Sequence, residues 1–408
     1  MKSLFFFLII FSVAASVYSN EPSIRLKPYG YINHQIIYDT YRSVESRDGE
    51  LHFFPRRPVF DDNGVDVNKR DRFNMVEVQS RIGVNITGPE ALGAEVSGRL
   101  EVDFFGTHQD NVRLTRLRLA YVTLNWENTE LMAGLAFHPM FVLDCFPGTL
   151  SFAAAVPFHP LNRSPLIRVK QSLTSDVSAS LSFITHGYHR SAGPIDAQRN
   201  SGLPDTQLQI RFGETRDVLV GFTAGYKWLS PRDTTLAGIA TDKIIGSYNL
   251  QAFTRINTNP AIIMVQGMLG ENMTNFTMIG GYGAKADPTT FDPRSDYDYT
   301  NLKTLSVWTD IRTKGRPWEF GLFAGYTENL GSNDNFTRIA GLTFFDDLNK
   351  LFRVSPRVVY RANNLSFGFE YSFFSAVYTD RHDINHRASS TLEPAINNRF
   401  IFQTRFTF

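Results

Sequence analysis

The sequence has almost no cysteine, no long hydrophobic run beyond its N-terminus and almost no net charge. Its 408 residues contain a single cysteine, Cys145, which excludes a disulfide within the chain. Beyond the N-terminus no run of about 18 apolar residues occurs, which excludes membrane-spanning helices. A formal net charge of +1 at pH 7 argues against a nucleic-acid-binding protein, because such proteins carry a clustered basic surface.

The N-terminus has the composition of a secretory signal peptide. Lys2 precedes an apolar stretch over residues 4–14, and small residues around Ser16 and Ser19 predict cleavage after Ser19. We therefore expect residues 1–19 to be a signal peptide and residues 20–408 to form one exported domain. The apolar stretch is too short to be a membrane anchor.

The last residues of the chain alternate strictly between apolar and polar side chains. One face of a strand over residues 397–408 would carry Phe400, Phe402, Thr404, Phe406 and Phe408. The opposite face would carry Arg399, Ile401, Gln403, Arg405 and Thr407. Because successive side chains of a strand point to opposite faces, this pattern fits a wall between lipid and water. Phe406 and the terminal Phe408 also resemble the C-terminal signal that the barrel assembly machinery of bacteria reads.

Similar alternation recurs along the chain, and it predicts an all-β transmembrane antiparallel barrel. A bacterial barrel of this class has an even number of strands. We therefore assign residues 331–350 to an external loop, although 339–345 could form a strand, and count sixteen strands. Short periplasmic turns then alternate with long extracellular loops. Pro356 falls inside a strand, and we expect a β-bulge there.

Basic residues outnumber acidic ones on the polar faces of these strands. The predicted pore-lining and selectivity residues are Arg81, Arg99, Glu101, Asp103, Arg116, Arg118, Arg168, Lys170, Arg211, Arg312, Arg353 and Arg357. A wall with a surplus of positive charge attracts anions. Glu101 and Asp103 lie beside Arg99, Arg116 and Arg118 on adjacent strands, which would place opposite charges across the pore. The alternative is that many of these arginines form ion pairs that stiffen the wall.

One long segment after the fifth strand breaks the alternation. Residues 138–152 are rich in proline and phenylalanine and too apolar for a freely solvated loop. We expect this segment to fold into the lumen as a constriction loop, with His138, Asp144, Phe146 and Pro147 as its candidate functional residues. Packing at a subunit interface is the alternative.

Several segments together resemble the DcaP-like outer-membrane porins. They are TGPEALG (87–93), EVDFFG (101–106), RLRLAYV (116–122), HPMF (138–141), FPGT (146–149), PLNRSP (160–165) and VSPRV (354–358). The resemblance extends over most of the chain after residue 19, in the same order. It implies a sixteen-stranded trimeric porin that lets small, often anionic, hydrophilic solutes diffuse through the outer membrane of a Gram-negative bacterium. Some members carry an N-terminal periplasmic extension that supports trimerisation, and we expect none here.

The remaining predictions concern activity and partners. No set of nucleophile, base and acid residues is aligned in the sequence, so we expect no enzyme, no cofactor and no metal. The alternatives left open are a plugged or enzymatic barrel, for example a phospholipase, and a structural or adhesive barrel. The expected partners are outer-membrane lipid, lipopolysaccharide, the barrel assembly machinery, small solutes and two further copies in a homotrimer.

Overall fold

The computed structural model describes residues 24–152 and 155–408, so the predicted signal peptide lies outside the described residues. Sixteen strands, the second of them interrupted, form the wall. They are β1 (Arg25–Asp39), β2 (Arg72–Val76 and Arg81–Thr87), β3 (Glu95–Asp103), β4 (Arg116–Asn125), β5 (Thr129–Phe137), β6 (Arg163–Ser172), β7 (Val177–Ile184), β8 (Asp205–Gly213), β9 (Val218–Leu229), β10 (Ile245–Asn257), β11 (Ala261–Glu271), β12 (Tyr299–Thr313), β13 (Trp318–Gly331), β14 (Leu348–Ala362), β15 (Leu365–Tyr378) and β16 (Ala395–Thr407).

The sheet closes on itself. Each strand pairs antiparallel with the next, and β16 pairs with β1 in unbroken register from Tyr31–Thr407 to Asp39–Arg399. Closure leaves no free edge, so every strand can satisfy its backbone polar groups within the sheet. The predicted fold, a closed antiparallel barrel of sixteen strands, is confirmed.

Long and short connections alternate around the barrel, as predicted. The long connections, numbered here in chain order, are loop 1 (40–71), loop 2 (104–115), loop 3 (138–162), loop 4 (185–204), loop 5 (230–244), loop 6 (272–298), loop 7 (332–347) and loop 8 (379–394). The turns span two to seven residues each. The two rims are therefore different, and both ends of the described wall lie at the turn-side rim.

The strands carry apolar side chains outside and polar side chains inside. On β16, Phe402 and Phe406 are exposed on the outer face, while Arg399 and Gln403 are buried inside. An apolar outer face around a closed sheet is the arrangement that allows strands to cross a membrane. No helix in the described part of the chain is long and apolar enough to span a membrane.

The loops contain short elements of their own. Loop 1 forms a hairpin of Ser43–Ser46 with Leu51–Pro55, and loop 8 forms one of Arg381–His382 with Ala388–Ser390. Gly280–Lys285 in loop 6 pairs with Phe336–Thr337 and Thr343–Phe344 in loop 7. Short helical turns are Gln109–Asn111, Ala197–Asn200 and Met273–Phe276. Residues 339–345 thus belong to a loop, as the even strand number required.

The expected bulge at Pro356 is wrong. Val354 pairs with Phe373 and Arg357 with Glu370, so the register across Pro356 does not shift. On its other side, Pro356 stays paired with Leu322 of β13. Proline removes only the one ladder hydrogen bond that its missing N–H would donate, and the strand accepts that loss without an extra residue.

Candidate functional site

Loop 3 lies inside the barrel. Side chains on the inner face of the wall hold its backbone at successive points. These contacts are Gln209 Nε2 to Pro139 O (3.0 Å), Gln251 Nε2 to Met140 O (2.7 Å), Arg255 Nη1 to Asp144 O (3.0 Å), Gly148 N to Asp310 Oδ2 (3.2 Å), Leu150 N to Glu370 Oε2 (2.6 Å) and Gln35 Nε2 to Leu150 O (2.8 Å). The loop therefore follows the inner wall from β8 to β1 and narrows the lumen along that path.

At its far end loop 3 places an apolar side chain in the lumen. Leu150 packs in one buried cluster with Ile37, Val76, Val359 and Ile401, all of them wall residues. Gly368 leaves the necessary room, because a Cβ there would approach Leu150 Cδ1 to 2.6 Å. Leu150 thus closes part of the lumen with apolar contacts, and separate cavities lie on its turn side and its loop side.

The predicted arginines of β4 are tied to the carboxylates of β3. Arg116 Nη2 lies 2.8 Å from Asp103 Oδ2, and Arg118 Nη1 lies 2.9 Å from the same oxygen. Arg118 Nε also lies 2.7 Å from Glu101 Oε1. All four side chains are buried. The opposite charges pair along one wall rather than across the pore, so the expectation of charges facing each other across the lumen is wrong.

Two further arginines are paired in the same way behind loop 3. Arg353 Nη2 lies 2.9 Å from Glu370 Oε1, and Arg357 Nη1 lies 2.7 Å from Asp310 Oδ2. Both carboxylates also accept a backbone N–H of loop 3, from Leu150 and Gly148 respectively. The first ion pair therefore joins the neighbouring strands β14 and β15, the second joins β14 to β12 across β13, and both also connect the wall to loop 3.

The turn-side chamber is a cavity of about 590 Å³ between the tip of loop 3 and the short turns. Its basic lining residues are Arg312, Lys314, Arg316, Arg361 and Arg405, and its acidic lining residue is Glu319. Glu319 is paired with Arg361 at 2.8 Å. Arg405 donates to the uncharged Asn33 Oδ1 and Gln79 Oε1. The chamber therefore presents positive charge that no carboxylate of the described chain neutralises.

The loop-side chamber is a cavity of about 690 Å³ on the opposite side of loop 3. Its basic lining residues are Arg47, Arg116, Arg163 and Arg190, and its acidic lining residue is Glu45. Aromatic side chains from loops 1, 2, 3, 4 and 7 line it as well. They are Phe53, Phe105, Phe152, Tyr188, Phe344 and Phe345. This chamber is basic and aromatic, whereas the turn-side chamber is basic and polar.

The predicted pore-lining residues fall into two groups. Those with a carboxylate or arginine partner within 4.0 Å are Arg81, Glu101, Asp103, Arg116, Arg118, Arg168, Arg211, Arg353 and Arg357. Those without such a partner among residues 24–152 and 155–408 are Arg99, Lys170 and Arg312. Arg312 belongs to the turn-side chamber, whereas Arg99 donates to Asn85 Oδ1 at 2.8 Å.

The predicted residues of loop 3 do not form one cluster. Phe146 and Pro147 line the turn-side chamber, and Asp144 pairs with Arg211 of β8. His138 is fully buried at the base of the loop, where its Nε2 lies 3.4 Å from Asp205 Oδ2. Burial lowers the pKa of His159, a second histidine of loop 3, to about 3. The terminal Phe406 and Phe408 lie on the outer face, away from the lumen.

The sequence prediction missed basic residues of loops and turns and also Arg163, the first residue of β6. Arg47, Arg163 and Arg190 line the loop-side chamber, and Lys314 and Arg316 line the turn-side chamber. Alternation within strands cannot find residues outside strands. Arg163 could have been noticed, because it lies in the segment 160–165 that contributes to the family resemblance. Among the described residues, no three His, Cys, Asp or Glu side chains converge to hold a metal ion.

The wall is closed, the third loop folds into the lumen, and basic chambers lie on both sides of that loop. Together these features define the fold of an outer-membrane porin. No protein-family model matches the chain, and no curated protein matches it. Solved structures do. The outer-membrane channel DcaP of Acinetobacter baumannii is similar with a TM-score of 0.69 and 16% identity, over 97% of this chain and 100% of that one.

Two more solved structures show the same fold at lower similarity. An anion-selective porin from Comamonas acidovorans has a TM-score of 0.55 and 10% identity over 95% of this chain and 100% of that one. The outer-membrane protein OmpT of Vibrio cholerae, in a trimer form, has a TM-score of 0.55 and 11% identity over 95% of this chain and 100% of that one. At these identities the likeness establishes the shared barrel fold.

Proposed function

We propose that this protein is an outer-membrane porin of a Gram-negative bacterium, a water-filled channel for passive diffusion of small hydrophilic solutes with a preference for anions. The observation that carries the proposal is the basic surplus in both chambers that flank loop 3. A solute crossing the barrel meets unneutralised arginines before and after the narrow segment. Positive potential in a confined, low-dielectric space raises the local concentration of anions and lowers that of cations.

The family resemblance and the structural comparisons support the same function. The Comamonas structure is described as an anion-selective porin, and DcaP as an outer-membrane channel. We extend both properties to this chain because its lumen provides the charge distribution that they require. Transport would follow the solute gradient, with no covalent chemistry and no cofactor.

A homotrimer embedded in outer-membrane lipid and lipopolysaccharide is part of the proposal. The Vibrio protein was described in a trimer form, and the resemblance implies the same assembly. The proposal also includes insertion into the membrane by the barrel assembly machinery, with Phe406 and Phe408 as the signal. Conductance that rises in steps of three in planar bilayers would support a trimer. Single steps, from a protein that stays monomeric after treatment with a cross-linker, would contradict it.

A plugged barrel is the second candidate, because Leu150 and its apolar neighbours occupy part of the lumen. Liposome swelling separates the two. Vesicles that contain the folded protein are diluted into isotonic glucose, glucuronate or glucosamine, three solutes of similar size and different charge. A porin of the proposed kind gives swelling in all three, fastest with glucuronate. The heat-modifiable electrophoretic mobility of the protein shows whether the barrel is folded. If a folded barrel gives no swelling in any of the three solutes, the plugged barrel is favoured.

A further inference from the structure

We propose that the hairpin of loop 1 is a second, movable constriction of the lumen, a gate that leaves its docked position when the carboxyl group of Glu50 ionises. This inference deepens the proposed function and rests on it for the current that the gate controls. It gives different roles to two loops that fold inward, because loop 3 is fixed to the wall and the hairpin can be released.

The tip of the hairpin lies inside the barrel. Gly49 O accepts a hydrogen bond of 2.6 Å from Arg399 Nη2 on the inner face of β16. Glu50, the next residue, is close enough to Asp103 of β3 for their charges to interact. The register of β1, β2 and β3 places Asp103 level with Tyr31, in the middle of β1. The tip therefore reaches well into the lumen and does not stay at the rim.

The hairpin forms one side of the loop-side chamber. Its lining residues there are Val44, Glu45, Ser46, Arg47, Leu51 and Phe53. Loop 3 lines the same chamber with Phe152 and Leu161. A solute that enters from the loop side passes between the two loops, so departure of the hairpin would widen its path.

The hairpin is held mainly by apolar packing and by single hydrogen bonds. Phe54 is fully buried, and its ring lies edge-on at 4.8 Å from that of Phe345 in loop 7. The hydroxyl of Tyr378 in β15 donates to Pro55 O at 2.6 Å. Loop 3, in contrast, is held by the wall along its path, and its one acidic residue, Asp144, is paired. Of the two loops, the hairpin is the one with a buried, unpaired acid.

That acid is Glu50. Its side chain is 1% exposed, and neither carboxyl oxygen has a hydrogen-bond partner of normal geometry among the described residues. Asp103 adds a like charge, whereas Arg399 and Arg405 of β16 act in the opposite direction. Arg399 is already paired with Asp39 at 3.2 Å. A buried carboxylate without a partner is costly, so ionisation of Glu50 favours the undocked hairpin, in which this side chain reaches water.

The other charged groups around the hairpin are paired or neutral. The pairs are Glu45 with Arg72, Asp48 with Arg113, and Asp103 with Arg116 and Arg118. His52 lies 3.9 Å from Asp39, and burial, aided by the charge of Arg399, lowers the pKa of His52 well below its usual range. In water the pKa of a histidine is about 6.5, so His52 is largely uncharged above pH 7 whether docked or undocked. Of these groups, only Glu50 changes its charge between pH 7 and pH 9.

The sign of the pH dependence follows from the proton of Glu50. Burial raises its pKa to about 8 in the docked hairpin, against about 4.3 in water. The docked state keeps a proton that the undocked state loses, so rising pH weakens docking. The ratio of undocked to docked hairpin should rise about tenfold between pH 7 and pH 9. Above pH 9 it should level off, because Glu50 is then ionised in both states.

Single-channel currents of the full-length protein in planar bilayers test the gate. We expect two conductance levels in potassium chloride, and the ratio of time in the higher level to time in the lower level should rise about tenfold from pH 7 to pH 9. Glu50→Gln should stay in the lower level over this range, whereas Glu50→Asp, which keeps a carboxyl group, should retain the pH dependence. Glu393→Gln is the matched control, because Glu393 is exposed in loop 8, and it should behave as the wild type. Conductance that does not change with pH, or that changes equally in Glu50→Gln, would overturn the proposal.

Tyr378→Phe tests whether docking and conductance belong together. Loss of the hydrogen bond to Pro55 O should raise the ratio of the two levels about three- to tenfold at every pH. The change between pH 7 and pH 9 should keep its size, because Glu50 is still present. A Tyr378→Phe variant with the ratio of the wild type would contradict the hairpin as the element that gates the current.

Accessibility of a thiol in the hairpin measures undocking without current. Ser43 is 1% exposed when docked, so Ser43→Cys, in a protein with Cys145→Ala, should react with a thiol reagent only after release. Asn63→Cys, at an exposed position of the same loop, corrects for ionisation of the thiol. The corrected rate should rise about tenfold from pH 7 to pH 9, and Glu50→Gln should remove the rise.

The two measurements separate the gate from the porin. A corrected labelling rate that rises as expected, in a protein that conducts no ions, would contradict the porin function and leave the release of the hairpin standing. Anion-selective current with a labelling rate that does not change with pH would overturn the gate and leave the porin function standing.

Discussion

Arg116 and Arg312 are the same residue type on the same inner face, yet their surroundings differ completely. Arg116 is buried, and its Nε and Nη2 both donate to Asp103, at 3.0 Å and 2.8 Å. Arg312 lines an open cavity and pairs with no carboxylate of the described chain. A basic residue on the inner wall therefore has one of two roles. Either it forms an ion pair that stabilises the wall, or it contributes charge to the lumen.

The difference follows from the electrostatic cost of burial. A buried guanidinium without a carboxylate is costly, because an isolated buried charge loses several kcal/mol of hydration. A guanidinium at the edge of a wet chamber keeps much of its hydration and can remain unpaired. Counting arginines on the polar faces of strands thus overestimates the charge that a solute meets. The residues that matter for selectivity are the unpaired ones, and several of them come from turns and loops.

Removing the acid of a buried pair should have the largest effect. Asp103→Asn leaves Arg116 buried without a carboxylate, and we expect a loss of about 3–5 kcal/mol in the free energy of unfolding. Denaturant titration of the barrel folded in lipid vesicles measures it. The matched control is Asp144→Asn, which breaks the pair of Asp144 with the partly exposed Arg211. Exposed pairs contribute about 0.2–1 kcal/mol, so equal losses in the two variants would contradict the division into two roles.

The buried carboxyl group of Glu50 should give a pH dependence. This loop 1 side chain is 1% exposed, and burial, aided by the charge of Asp103, raises its pKa to about 8, against the opposing effects of Arg399 and Arg405. In an undocked hairpin Glu50 would titrate near its ordinary pKa of about 4.3. Docking of the hairpin is therefore strongest below that value and weakens as the pH rises through about 8.

Limited proteolysis of loop 1 measures this docking. Between pH 7 and pH 9 the undocked fraction should rise about tenfold, because the undocked state binds on average about half a proton fewer over that window. Cleavage rates of loop 1 should rise accordingly, and Glu50→Gln should remove the change. A Glu50→Gln variant that retains the full pH dependence would assign it to another group.

Removing unpaired charge should change selectivity and leave stability nearly unaltered. Arg312→Gln combined with Arg405→Gln should lower the permeability ratio of chloride to potassium about two- to fivefold, since a unit charge at about 4 Å in wet surroundings contributes about 1 kcal/mol. Arg216→Gln is the control, because Arg216 is highly exposed in the turn 214–217 and pairs with Glu214. An effect of the control as large as that of the double variant would show that the chamber has no special role.

The wall was predictable from the sequence because one physical rule determines it. Alternation of apolar and polar residues, as in Phe402-Gln403-Thr404-Arg405-Phe406, assigns each side chain to lipid or lumen. The even number of strands expected for such a barrel then gave a count of sixteen and placed residues 339–345 in a loop. Pro356 was misjudged because a proline removes only one ladder hydrogen bond, and a strand that is paired on both sides keeps its register without it.

The chambers were less predictable, because they depend on contacts between distant parts of the chain. Arg47 comes from loop 1, Arg163 from the first position of β6 and Ser191 from loop 4, and no local pattern brings them together. The pairing of Arg357 with Asp310 likewise requires the register of β12, β13 and β14. Loop 3 could be placed inside the lumen from its apolar composition, but the points that hold it, such as Glu370, could not.

The zero-current potential of the wild-type protein in a planar bilayer tests the central claim most directly. With a tenfold gradient of potassium chloride, unpaired arginines in both chambers predict a potential of the sign that chloride selectivity requires. That potential should be smaller for Arg312→Gln combined with Arg405→Gln and unchanged for Arg216→Gln. A potential of the opposite sign would mean that cations carry the current, and it would contradict the assignment of the lumen charge to these arginines.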